Sequence, residues 1–284
     1  MESVVSATDN YLSLILSIPN LSPIDVLSVF ILVMARILPI MMLAPFFASK
    51  SAPNPMKIAF GISIAAIVLP QTLFSIKEPI VMDFLFAIYL LKETFIGFVL
   101  GFFITIPFYV AQSSGSLIDH IRGSSSLQVT DPSTKTQTSP IGIFYNYTLI
   151  VIFFIIGGPF LFIEALASSF QLVPINKFFS AAFFSTKVPL WAITIDLLNR
   201  ILKIAIQLGA PSIIGILMAE MFLGIANRLA PKVQIVFLGI SLKSWVGLSL
   251  LAAAWYFVMQ QLGKESMYWI KVIQDTIGQI EVLK

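Results

Sequence analysis

The chain has 284 residues, of which 58% are hydrophobic and 11% charged, and its formal net charge is +3. Charged residues make up about a quarter of an ordinary soluble domain, so this composition argues against a water-soluble globule and for a polytopic membrane unit. The basic residues form no block that would track nucleic acid, and the absence of cysteine excludes disulfides and thiolate metal sites.

The N-terminal segment carries Glu2 and Asp9 and no Lys or Arg, so it reads as retained rather than cleaved. After a short amphipathic lead at Tyr11 to Ile18, six apolar stretches follow: Ile24–Phe47, Met56–Phe74, Ile80–Gln112, Ile141–Phe170, Leu190–Ile225 and Val233–Leu262. At a rise of 1.5 Å per residue, roughly 20 helical residues cross a ~30 Å hydrocarbon core. The third, fourth and fifth stretches exceed this by about ten residues or more, so they are expected to tilt, kink or stand out of the bilayer. Pro107, Gly157-Gly158-Pro159 and Gly209-Ala210-Pro211 supply the break points.

The connectors are short and punctuated. Residues 48–55 read as a turn from their Pro, Asn and Ser content, 173–189 hold two prolines with Phe178, Phe179, Phe183 and Phe184, and Ala230-Pro231 ends the fifth helix. From Gly263 to Lys284 the tail is amphipathic, with Met267, Ile270, Ile273, Ile277 and Ile280 three or four apart. Such a helix lies at an interface, on a partner or on its own bundle. The fold class is therefore all-α, with about six long apolar helices plus an amphipathic C-terminal helix, in one domain over 1–284. Lys and Arg divide too evenly between the connectors to fix an orientation.

Charges inside the apolar blocks are the next signal: Arg36, Lys92-Glu93, Glu164, Asp196, Arg200, Lys203, Glu220 and Lys243. A charge at the bilayer centre costs about 2.5–3.5 kcal/mol on insertion scales, so each needs a partner. Asp196, Arg200 and Lys203 share one helical face and can neutralise one another. A solute transporter or ion channel gathers such groups near its midplane, beside broken helices in two repeated halves. Here they are dispersed and no internal repeat is found, which favours helices enclosed by partner subunits. Gly97 and Gly101 form a GxxxG that permits close helix approach.

Catalytic chemistry finds no set of residues. His120 is the single histidine, and its neighbours Asp119 and Arg122 lack a nucleophile or second carboxylate at suitable spacing. No enzyme activity, cofactor or metal is expected.

One polar stretch, Gly115 to Pro140 (GSLIDHIRGSSSLQVTDPSTKTQTSP), interrupts this pattern. Gly123 with three serines disfavours continuous helix, Asp131-Pro132-Ser133 opens a turn, and Ser139 with Pro140 reads as the cap and first residue of the next helix. A loop of this length is usually functional or a linker.

The run Ile118-Asp119, Arg122-Gly123, Asp131-Pro132 and Thr138-Ser139-Pro140 resembles the central loop of the T component of the type III secretion export apparatus (the SctT family, related to flagellar FliR). Ala219-Glu220, Leu223-Gly224, Asn227-Arg228, Ala230-Pro231 and Leu242-Lys243 resemble the same family's pattern near its last helix pair. Gln234 and Ser241 depart from that pattern, where Asn and Pro are usual.

The resemblance implies a non-enzymatic component of an export gate in the bacterial inner membrane, multi-pass and in contact with membrane lipids. It implies R and S partner subunits in a helical hetero-oligomer, contacts with the U switch component and other secretion proteins, and unfolded proteins as transient passengers. It implies helical hairpins, and a plug in the channel formed by 115–140, with Arg122, Gly123, Ser124, Leu127, Val129, Asp131 and Pro132 facing the lumen. Glu220, Arg228 and Lys243 are expected as subunit-contact charges.

Overall fold

A computed structural model describes residues 22–47, 53–76, 80, 82–123, 139–178, 189–229 and 235–282. Among these residues every regular element is helical: α1 Pro23–Leu43, α2 Asn54–Ser75, α3 Phe84–Ile121, α4 Pro140–Ile155, α5 Gly158–Leu172, α6 Pro189–Leu229, α7 Ile235–Ala253 and α8 Trp255–Val282. Four of them, α1, α2, α3 and the Asn199–Leu229 part of α6, are long and apolar enough to cross a membrane, and six spans result if the broken pairs α4–α5 and α7–α8 each count as one. The amphipathic lead at 11–18 and the turn at 48–52 lie outside the described residues.

Two compact units divide the chain. The first comprises residues 1–105, 160–189 and 273–284, the second 106–159 and 190–272.

In the first unit, α1 starts with a reciprocal cap. Asp25 N donates to Ser22 Oγ (3.3 Å), Ser22 N donates to Asp25 Oδ2 (2.8 Å), and Pro23 opens the helix. Its buried stripe is Val29, Leu32, Val33, Arg36, Ile37 and Ile40, the three-and-four spacing of one helical face. Arg36 lies in the middle of that stripe. Helix α2 answers with Gly61, Ile64, Ala65, Val68 and Leu69, and a Cβ on Gly61 would lie in van der Waals range of Ile37, Leu38 and Met41 on α1. The GxxxG of α3 also faces α1: a Cβ on Gly97 would strike the carbonyl of Arg36, and one on Gly101 would come within 3.1 Å of Ile40 Cα. The motif thus provides the close backbone approach expected of it. Thr105 Oγ1 donates to Gly101 O of its own helix (2.5 Å) and lies 3.2 Å from Leu43 O at the end of α1.

Three expected boundaries differ. Helix α3 does not stop near Gln112 but continues to Ile121, so the first seven residues of the 115–140 stretch are helix. Packing overrides their polarity: Ser114 and Ile118 are fully buried, and Gly115 fits against Gly142 of α4, where a Cβ would come within 2.6 Å. Pro211 does not interrupt α6, which runs unbroken over 41 residues. The proline removes one amide from the ladder, and one turn below it the Tyr145 hydroxyl donates to Leu208 O (3.3 Å). The sixth apolar stretch is not one helix. It bends by 63° between α7 and α8, at an alanine run with no Gly or Pro, where Trp255 stacks on Phe144 with ring centroids 5.0 Å apart. The tail accordingly begins inside α8 rather than at Gly263, and its buried face holds Val258, Leu262, Glu265, Ser266 and Trp269, whereas Met267 is exposed. Gly157, with φ +76°, ends α4 at the break point read from the sequence.

Candidate functional site

Two polar constellations stand out, one in each unit. The first collects charges that the sequence places in two separate apolar blocks. Arg36 Nε donates to Glu93 Oε2 at 2.5 Å, and Lys92 Nζ lies 2.8 Å from Glu93 Oε1, with Arg36 and Glu93 fully buried. The two cations outnumber the one anion, and backbone carbonyls supply the rest. Arg36 donates to Ser169 O and Val173 O, each at 2.8 Å, and Phe170 lies under its guanidinium at 4.0 Å. Lys92 Nζ donates to Pro174 O, Ile175 O and Lys177 O at 2.8–3.0 Å, and the Tyr89 hydroxyl donates to Asn176 O (3.1 Å).

These carbonyls belong to the C-terminal end of α5 and the turn after it. There the helix dipole is negative and the last carbonyls have no partner within the helix. Arg36 and Lys92 therefore act as a cationic cap, supplied by α1 and α3, on the end of α5. The cluster is closed, its charges directed at one another and at carbonyls. Such an arrangement locks helices together; it is not an open path for a coupling ion. Among the described residues no group of three or more His, Asp or Glu could hold a metal ion.

The second constellation stands at the base of the polar stretch. Asp119, in the last turn of α3, is buried. Its Oδ2 accepts from the Ser139 hydroxyl (2.5 Å) and the Ile141 amide (2.9 Å), and Arg122 Nη2 lies 2.7 Å from its Oδ1. Ser139 Oγ accepts in turn from Gly142 N at 3.0 Å, the cap expected from the sequence. Gly123 follows with φ +87°, a left-handed turn that favours glycine, and a Cβ there would meet nothing within 4 Å. Of the residues expected to face a lumen, Arg122 and Gly123 occupy this exit turn, whereas Ser124, Leu127, Val129, Asp131 and Pro132 lie outside the described residues.

The three expected subunit-contact charges also have places. Lys243 Nζ lies 2.6 Å from Glu220 Oε1, pairing α7 with α6, and the Glu220 side chain is half exposed. Arg228 is exposed in the last turn of α6. Arg200 pairs with Glu265 of α8 at 3.1 Å and lies 3.3 Å above the ring of Tyr268, so its carboxylate partner comes from another helix. No spacing rule joins residues 65 apart, which is why this pair leaves no mark in the sequence.

Large apolar side chains remain exposed in both units. On α3 they are Leu91, Phe95, Phe98 and Phe102, and on α6 Met218, Met221, Phe222 and Ile225. Contiguous stripes of this kind mark contact with lipid or another protein.

The family described as bacterial export proteins, family 1, matches residues 27–267. The chain belongs to this family. Relatives agree with it: the Yop proteins translocation protein T of Yersinia pestis is 32% identical over 200 residues, covering 68% of this chain and 71% of its own. The surface presentation of antigens protein SpaR of Salmonella typhimurium is 27% identical over 224 residues, with 78% and 80% covered. The flagellar biosynthetic protein FliR of Bacillus subtilis is 27% identical over 231 residues, with 78% and 84% covered. As a member of this family, with its apolar helices, the chain is a multi-pass membrane protein of an export apparatus.

Proposed function

We propose that this chain is a structural component of the inner-membrane export gate of a bacterial type III secretion machine. With R and S partner subunits it builds the conduit through which unfolded proteins leave, and the U switch component adjoins it. The observation carrying this reading is the match to translocation protein T over two thirds of each chain. The exposed apolar stripes of α3 and α6 support it, because lipid or neighbouring subunits must cover them. No reaction is assigned to the chain.

In this reading the polar stretch 115–140 supplies the plug of the conduit. Segments at membrane depth that are not helical are tolerated where they line a cavity instead of facing lipid. Removing 123–130 from an otherwise complete machine is expected to admit small ions and molecules while the complex still assembles. Permeability equal to wild type, with the complex intact, would overturn the plug.

The pair Glu220–Lys243 and the exposed Arg228 test the partner contacts. An exposed ion pair contributes about 0–1 kcal/mol within one chain. Glu220→Ala and Arg228→Ala should therefore leave the amount of this protein in the membrane nearly unchanged. The same variants should lower the fraction that co-purifies with smaller partner proteins in mild detergent. Equal co-purification of both variants and wild type would remove these charges from the subunit interface.

A further inference from the structure

We infer that Asp119 is a positioning residue, a clasp that holds together the two ends of the polar stretch. The inference rests on the reading of the polar stretch 115–140 as a plug and adds how its two ends are held.

The geometry is that of a closure. Arg122 stands in the turn by which the chain leaves α3, and Ser139 is the residue from which it enters α4. One buried carboxylate binds both: the guanidinium on Oδ1, and the hydroxyl with the Ile141 amide on Oδ2. Close by, the α3 and α4 backbones meet glycine to glycine, since a Cβ on Gly115 would come within 2.6 Å of Gly142 Cα, and one on Gly142 within 2.7 Å of Gln112 O. The hydrogen bonds serve the open amides at the N-terminus of α4, where a carboxylate is also favoured by the helix dipole. Charge-assisted bonds of this kind are about twice as strong as neutral ones.

Asp119 thus does two things that an ordinary N-cap does not. It caps a helix from a different helix, and it fixes the spacing between where the chain leaves α3 and where it returns. A conduit that opens for a passenger and reseals afterwards requires fixed anchor points, and the clasp provides them.

Two variants separate the clasp from plain helix capping. Ser139→Asp keeps a good cap for α4 but sets a second carboxylate against Asp119, so it opens the clasp and spares the helix. Asp119→Asn with Ser139→Asp removes the repulsion between the two carboxylates, because the new amide can turn its NH2 to the carboxylate introduced at position 139, and that carboxylate leaves Arg122 an anion in place of Asp119. In cells making the complete machine, S139D is expected to admit small solutes at the level of the 123–130 deletion. The D119N/S139D pair should return permeability to wild type, and Ser139→Thr, which keeps the hydroxyl, should remain sealed throughout.

A sealed S139D machine, beside a deletion that leaks, overturns the clasp. If the deletion itself stays sealed, the plug reading fails, and the clasp is decided by distance alone. The chain has no cysteine, so His120→Cys and Pro140→Cys would carry the only thiol-linked spin labels on it. Their separation in the purified complex must broaden in S139D, and an unchanged distribution removes the proposal.

Discussion

Glu93→Ala is expected to be among the most damaging single substitutions in the chain. Glu93 is the sole anion among two buried cations, and removing it leaves Arg36 and Lys92 facing each other with only carbonyls to hold them. Breaking a buried ion pair costs about 3–5 kcal/mol, because the surviving charge stays desolvated. Arg36→Ala should cost less than Glu93→Ala, since Lys92 remains beside the carboxylate, but it leaves Ser169 O and Val173 O without these donors. Arg36→Lys does not substitute: a point charge cannot serve Glu93 on one side and two carbonyls on the other as the guanidinium fork does. In a pair of substitutions, Arg36→Met with Glu93→Met, the loss should be smaller than the sum of the two singles, the signature of mutual neutralisation. The readout is the amount of protein retained in membranes and the thermal stability of the solubilised complex. Glu93→Ala accumulating like wild type would mean that the cluster does not hold the first unit together.

That cluster shows where the sequence is informative and where it is not. Each of its charges is visible as an anomaly in an apolar block, and the need for partners follows from the cost of burying them. Which partners they take is not visible, because Arg36 and Glu93 are 57 residues apart and the carbonyls at 169–177 carry no side-chain signature. Backbone acceptors are the same at every position; only the fold selects them.

Local rules succeed wherever the cause is local. Ser22 with Asp25 caps α1, Ser139 with Pro140 begins α4, Gly157 ends it, and Gly97 with Gly101 brings α3 against α1. They fail where packing decides. Polarity suggests that the chain leaves the helix at about residue 113, yet Gly115 packs so closely on α4, with Ile118 buried in the second unit, that α3 runs to Ile121. Asp119 and Arg122 invite comparison with an acid–base constellation, and in the structure they pair with each other. Their use is to join two helix ends, a role that requires the position of Ser139 in space. The bend before Trp255 has no Gly or Pro to announce it, and the ring stacked on Phe144 is a tertiary contact.

Gly97→Ala should be nearly as harmful as the loss of a charge, although it adds a single methyl group. Alanine is the better helix former by about 0.8–1.0 kcal/mol, so in an open position the change is neutral or stabilising. Gly263 is such a position: it lies within α8 and a Cβ there meets nothing within 4 Å, which makes Gly263→Ala the control. At Gly97 the methyl would collide with the main chain of Arg36, and main chain has no rotamer with which to yield. The α1 and α3 backbones must separate instead. Separation also lengthens the Arg36–Glu93 contact, which spans the same two helices, so packing and electrostatics fail together. Overpacking of a close contact commonly costs about 1–3 kcal/mol, and here the ion pair adds to it. Membrane levels and thermal stability should fall for Gly97→Ala and hold for Gly263→Ala. A Gly97→Ala protein as stable as the control would show that α1 and α3 approach less closely than the structure places them, and the cationic cap on α5 would lose its geometric basis.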